Sequence, residues 1–249
     1  MVRLRNRMTT LLTKDKVRHD GRALDEMRPV SIDVGVIKNA DGSALIQFGK
    51  NKIVAAVYGP KEVHPKHMTI PDRAVVKCRY HMAPFSTDTR KNPSFSRREI
   101  EISKVIKESL MPAIILEDYP RSAISIWMEV LQSDGGSRCA ALSAASVALA
   151  DAGINMRDMV AGCAAGKLED EIVIDLDDAE DKEGQADMPT AIMPNSGVVT
   201  LFQLDGNLTS DQFKKTFEMA VSGCKTVYEI QKDALKTKYF GKAATGDDQ

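Results

Sequence analysis

The chain has 249 residues, 43% of them hydrophobic and 28% charged, with a net charge of -1 at pH 7. That composition is ordinary for a soluble protein and can bury a sizeable core, in one large domain or in two small, tightly packed lobes. No run approaches the roughly 20 apolar residues of a membrane span, and Leu11-Leu12 is too short for a signal peptide, so a cytoplasmic protein with no membrane partner is expected.

The near-zero net charge hides an asymmetry. Basic residues crowd from Lys61 to Arg98 and acidic ones from Glu169 to Asp187. A polyanion is drawn to the first region and repelled by the second, unless a metal or a reaction lies there. Cys78, Cys139, Cys163 and Cys224 stand far apart with no CxxC pair, and three lie in apolar or small-residue runs, which suits reduced core thiols.

In chain order, a basic N-terminal arm (residues 1–17) precedes three strand-like runs at Val30–Ile37, Ser43–Phe48 and Ile53–Tyr58, with turns at Asn39–Gly42 and Gly49–Asn51. A basic loop with two histidines follows (Lys61–Pro71), then a strand from Ala74 to Met82 and a long polar loop from Pro84 to Phe95. Ser96-Arg97-Arg98-Glu99 fits a capping box, and Ile102, Val105, Ile106, Leu110 and Ala113 recur at helical spacing behind it. Pro112 makes the last turn of that helix doubtful. Ala123–Leu131 has the pattern of a buried strand. It leads through Asp134-Gly135-Gly136-Ser137-Arg138 into a helix of small residues from Cys139 to Ala150, with Gly153 suited to the position past its end.

Short strands are expected at Ala161–Lys167, Glu171–Leu176, Met188–Met193 and Val198–Leu204. A final amphipathic helix from about Ser210 turns Phe213, Phe217, Val221, Cys224 and Tyr228 inward, and the tail 241–249 is polar and expected to be disordered. Hairpins mixed with a few long helices indicate an α+β fold with antiparallel or mixed sheets. A first lobe over 18–153 and a second over 154–240 are the expected division.

Three constellations carry chemistry. Gly136, Ser137 and Arg138 sit at a strand-to-helix junction, where free backbone N–H groups and the positive end of the helix dipole suit an oxyanion, although a tight turn would account for the same residues. Arg97 and Arg98 lie in the first turn of a capped helix, where cations oppose the dipole by about 0.3–1 kcal/mol unless an anion is present; a solvated pair balanced by Glu99 and Glu101 is the plainer account. Lys66, Arg73, Arg90 and Lys91 flank them in loops and can extend a phosphate track.

In the acidic stretch Asp175–Asp187 most residues fit a solvated loop. Asp181 and Asp187 differ, because a loop of five intervening residues returns them side by side, where paired carboxylates hold a divalent cation or one serves as a general acid. The set suits phosphoryl chemistry on a polyanion, by a nuclease, a nucleotidyltransferase or a phosphatase.

The segments VRHDGR (Val17–Arg22), ALIQFGKNKIVAAVYGPKEVHPKH (Ala44–His67), RYHMAPFST (Arg79–Thr87), SRREIEISKVIKESL (Ser96–Leu110), the strand with its GGSR turn, EDKEGQADMP (Glu180–Pro189) and VTLFQLDG (Val199–Gly206) together resemble the RNase PH family, in particular its catalytic archaeal exosome branch. The resemblance covers about Arg18 to Tyr239 with the family's order and spacing. It implies an RNase PH-type fold and a phosphate-dependent 3′→5′ exoribonuclease that releases nucleoside diphosphates, reversible to RNA tailing. Inorganic phosphate as co-substrate is then expected on Gly136, Ser137 and Arg138, and the terminal RNA phosphates on Arg97 and Arg98. Asp181 and Asp187 are the expected catalytic acids, both also metal ligands for Mg²⁺ or Mn²⁺, and Lys66 lies beside an RNA entry path.

The same resemblance implies partners: single-stranded RNA 3′ ends, a non-catalytic paralogue alternating in a hexameric ring of three heterodimers, and a cap of RNA-binding subunits. Polynucleotide phosphorylase, a relative, has a lysine two residues after the second acid. Pro189 stands there in this chain, which leaves metal dependence less secure than the carboxylate roles. Two alternatives are a non-catalytic ring subunit, disfavoured by the presence of Asp181, Asp187, Ser137 and Arg138, and a bacterial-type homohexamer that trims transfer RNA, disfavoured by the HPKH and ADMP segments.

Overall fold

The computed structural model describes residues 11, 12 and 16–241, so most of the expected basic arm and the expected tail beyond Gly241 lie outside the described residues. Five strands, β1 (Val30–Val34), β2 (Gly42–Phe48), β3 (Asn51–Glu62), β4 (Val75–Met82) and β5 (Ser122–Gln132), form a first sheet in the order β1-β2-β3-β5-β4. The hairpins are antiparallel, as the turn chemistry predicts, but β4 and β5 are parallel, with Tyr80 opposite Met128 and Met82 opposite Val130.

A parallel pair needs a crossover, and helix α1 (Arg97–Leu110) supplies it. Ser96 accepts from the Glu99 N–H while the Glu99 carboxylate accepts from the Ser96 N–H at 2.7 Å, the reciprocal cap expected from the sequence. The same carboxylate also accepts from the Met82 N–H at 2.8 Å, which ties the helix start to the carboxyl end of β4. Ile102, Ile106 and Leu110 are buried, and the helix ends at Leu110, two residues before Pro112.

Helix α2 (Ser137–Asp151) follows β5 directly, so α1 and α2 both begin at the carboxyl end of the parallel pair. Twelve of its residues are buried, and its small side chains let it lie between the first sheet and a second one. A Cβ on Gly42 of β2 would come within 2.3 Å of the Ala148 carbonyl, so that strand needs a glycine there. The second sheet holds β6 (Ala161–Leu168), β7 (Glu171–Ile174), β8 (Ala186–Met193), β9 (Val198–Phe202) and β10 (Asp205–Gly206), in the order β10-β8-β6-β7 with β9 also on β8. Between β7 and β8 lies α3 (Asp178–Glu183), and α4 (Ser210–Phe240) packs across β6 and β8.

The α+β class with mixed sheets is borne out. The expected inward face of α4 is rotated. Cys224 and Tyr228 are buried, but Thr216, Ala220, Gly223 and Val227 complete that face, while Phe213 and Phe217 are half-buried and gather against the ring of Phe202. All four cysteines are free thiols, with Cys139, Cys163 and Cys224 buried. Among the described residues no helix is long and apolar enough to cross a membrane.

Candidate active site

Because α1 and α2 start at the same end of β4 and β5, the two basic motifs of the sequence meet there. A cleft of about 750 Å³ is lined by Arg98 from α1, Gly135–Arg138 from the start of α2, and Asp181 and Asp187 from the second sheet's side. Six of the eight expected site residues thus share one cavity: Gly136, Ser137, Arg138, Arg98, Asp181 and Asp187. Arg97 is exposed beside Arg98 but does not line it. Lys66 is elsewhere: it sits on a short turn after Glu62, which pairs with Ser122 at the start of β5. Eleven residues of β5 separate that end from the cleft, roughly 33 Å, and Lys66 is ion-paired with Glu62 at 3.2 Å.

At the start of α2, Gly136 is the residue before the helix, with φ of 65° and no side-chain cap. The Cys139 and Ala140 N–H groups donate to the Gly136 carbonyl, which leaves those of Ser137 and Arg138 at the cleft without a partner inside the helix. The loop is held from below. Asn51 donates to the Gly135 carbonyl at 2.6 Å and accepts from the Asp134 N–H at 2.7 Å. Arg28 donates to the Asp134 carbonyl and, at 2.8 and 2.6 Å, to the two carboxylate oxygens of Asp175.

The expectation that most of the acidic stretch is solvated is corrected here. Asp175, Asp177 and Glu180 are buried. Glu180 is paired with the buried Arg18, and Asp177 caps α3 by accepting from Ala179 and Glu180 N–H groups at 3.0 Å. Of the five residues between the two acids, Lys182 and Glu183 end α3, Gly184 and Gln185 form a bend, and Ala186 opens β8. A Cβ on Gly135 would come within 2.4 Å of the Asp177 backbone, so the acidic segment rests directly on the turn before α2.

Asp181 is exposed within α3, and Asp187 is half-buried at the start of β8. Burial, then the Asp181 charge, pushes the Asp187 carboxyl up to about 7, with Asp205 adding to the rise and Arg138 and Arg98 opposing it. Asp205 is the cross-strand neighbour of Asp187 in β10, a third acid that the sequence pattern did not single out because the two-residue strand leaves no periodic signal. Near pH 7 Asp187 is poised between proton donor and acceptor. The hard carboxylate oxygens of Asp181 and Asp187 suit Mg²⁺ or Mn²⁺, and Pro189 lines the same cleft without offering a further ligand. The one close group of three potential metal-ligating side chains among the described residues, His19, Asp177 and Glu180, is occupied by the His19–Asp177 contact, the α3 cap and the Arg18 pair.

Three further residues shape the cleft. Gln203 accepts from the Arg138 guanidinium at 2.5 Å. Tyr80, fully buried, shares a hydrogen bond of 2.9 Å with the Ser137 hydroxyl. Phe85, 73% exposed, stands on the cleft wall. Tyr80 could be found from sequence as the one polar tip in the apolar register of β4; Gln203 left no such mark.

Family comparison agrees with this geometry. Residues 26–155 match the model of the 3′ exoribonuclease family, domain 1, and residues 158–223 its domain 2. The exosome complex component Rrp41 of Cenarchaeum symbiosum is 59% identical over 231 residues, 93% of this chain and 95% of the relative. That of Methanopyrus kandleri is 58% identical over 238 residues, 96% of this chain and 100% of the relative. The crystal structure of rice (Oryza sativa) Rrp46 superposes with a TM-score of 0.78 over 88% of this chain and 100% of that one, at 23% identity, which speaks for the fold alone. Two domain models in tandem, relatives matched along nearly their whole length, and a shared fold agree: the chain belongs to the RNase PH family of 3′ exoribonucleases.

Proposed function

We propose that the chain is the phosphorolytic subunit of an archaeal-type exosome, removing nucleotides from RNA 3′ ends. The observation that carries this reading is the convergence, in one cleft, of an uncapped helix start, Arg98 and a carboxyl that titrates near neutrality. Inorganic phosphate rests on the N–H groups of the α2 start, the Ser137 hydroxyl and the Arg138 fork, with Gly136 allowing close approach. Arg98 holds the terminal RNA phosphate, and Arg97, just outside the cleft, meets a phosphate further along the strand.

An oxygen of the bound phosphate attacks the phosphorus of the last phosphodiester, and the bond from that phosphorus to the 3′ oxygen of the preceding ribose breaks. Protonated Asp187 supplies the proton that the departing oxygen takes up. The products are a nucleoside diphosphate and an RNA one residue shorter with a free 3′ hydroxyl. One phosphate linkage replaces another, so the reaction runs backward when diphosphates abound, with ionised Asp187 taking the 3′ hydroxyl proton. A divalent cation held by Asp181 and Asp187 would neutralise charge on the reacting phosphates.

The relatives' name places them in a multi-subunit complex, which supports a ring with a non-catalytic paralogue and RNA-binding cap subunits. The apolar exposure of Val198, Val199, Phe202 and Leu204 on and just after the edge strand β9 suits a chain that is covered by neighbours. Lys66, far from the cleft, fits contact with RNA upstream of its 3′ end. The test is to supply the chain, with its paralogue, single-stranded RNA and inorganic phosphate. Nucleoside diphosphates that form only with phosphate are expected. Monophosphates would mean hydrolysis, and no product from an assembled ring would mean a scaffold; either refutes the proposal.

A further inference from the structure

Tyr80 lies beneath the proposed phosphate cradle and has no place in the chemistry so far. Its ring is fully buried in β4, and its phenol reaches the Ser137 Oγ at 2.9 Å. The strand at this point is anchored: the Tyr80 N–H donates to Ser103 of α1 at 2.8 Å, and the Ser103 hydroxyl donates to the Glu99 carbonyl at 2.6 Å. Tyr80 thus connects the helix that carries Arg98 with the helix that carries Ser137.

A serine hydroxyl has one proton and two lone pairs, and its proton rotates to suit its surroundings. Toward an anion only the proton is useful, because a lone pair aimed at a phosphate oxygen is repelled. A neighbour that donates to Oγ settles the rotation by occupying a lone pair, and polarises the remaining O–H in the process. Burial raises the Tyr80 phenol above its ordinary range, so it stays a neutral donor throughout the working pH.

We infer that Tyr80 is a positioning residue for the phosphate co-substrate, donating to Ser137 Oγ so that the serine proton points into the cleft. The inference rests on the proposed reading of Gly136–Arg138 as the phosphate cradle. It predicts a selective defect. In the active complex, Tyr80→Phe raises the KM for phosphate by about five- to tenfold, the worth of one neutral hydrogen bond. The kcat at saturating phosphate and the KM for RNA stay within about twofold, a range too small to count against a lost hydrogen bond.

Ser137→Ala raises the phosphate KM as well, and adding Tyr80→Phe to it brings no further rise, because the group that Tyr80 orients is gone. Additive effects of the two substitutions, or a Tyr80→Phe defect in RNA KM or kcat with phosphate KM unchanged, overturn the inference. Should Tyr80→Phe fail to fold, Ser137→Cys opens the same contact from the other side with a weakly accepting thiol; an unchanged phosphate KM there also overturns it. Arg138→Ala separates the two levels. If it too leaves the phosphate KM unchanged, the cradle itself is misassigned; if it raises that KM while the Tyr80 variants do not, only the role of Tyr80 fails.

Discussion

Replacing Asp187 by asparagine should make the protein more stable and abolish its turnover. Burial and the Asp181 charge lift this carboxyl from the usual 3.8 to about 7, which disfavours its ionised form by about 4 kcal/mol. An acid with a raised folded-state pKa holds its proton more tightly in the native chain than in the unfolded one. The contribution of this one group to stability is therefore fully present below pH 3.8 and is lost as pH climbs toward about 7. Asparagine has the same shape and no charge, so its variant escapes that loss.

Residual exposure to the cleft screens part of the effect. The advantage of Asp187→Asn should widen by about 2–3 kcal/mol between pH 5 and pH 8, or roughly 4–10 °C in Tm for a chain of this size. Thermal unfolding followed by circular dichroism at the two pH values, with chelator present, measures it. Equal Tm differences at both pH values, or a variant less stable than the parent at pH 8, would show that Arg138 satisfies an ionised Asp187 and would refute the reasoning.

If Arg98 holds the terminal RNA phosphates as proposed, Arg98→Glu should raise the Kd for RNA at least about tenfold, with a salt dependence shallower than the parent's; filter binding at several salt concentrations reads both. Phe85→Ala should weaken RNA capture by about 1–3 kcal/mol if the exposed ring stacks a base, with Phe85→Trp restoring it and phosphate KM unmoved in either; competition binding decides. Gly135→Ala should destabilise by about 2–4 kcal/mol, because φ is +69° and the new Cβ lies 2.4 Å from the Asp177 backbone; urea unfolding at constant m-value tests it.

Much of the first sheet can be read from the sequence because its signals are local. The Ser96–Glu99 cap, the turn glycines and the alternation in β5 each involve a few neighbouring residues, and Ile124, Ile126, Met128 and Val130 are buried as that alternation requires. The residues proposed as cradle and acid pair are legible for the same reason, as residue types placed in or near the first turn of a helix or the start of a strand. What stayed hidden depends on pairs far apart in sequence. Glu180 and Asp175 look like members of a solvated run until Arg18 and Arg28, some 150 residues away, are brought against them. The parallel pairing of β4 and β5 is equally non-local, and with it the reason why Arg98 and Ser137 meet. The Tyr80–Ser137 contact follows from that pairing, so periodicity alone had no means of revealing it.

The buried guanidinium groups bear on where this protein can be cut. Domain 1 of the family begins its match at residue 26, yet Arg18 is 1% exposed and Arg22 8%. An expression product trimmed to that boundary would strand the Glu180 carboxylate in an apolar interior and release the strut beneath the acidic helix. Such a fragment should misfold around its catalytic end, although every residue proposed to touch a substrate is still present.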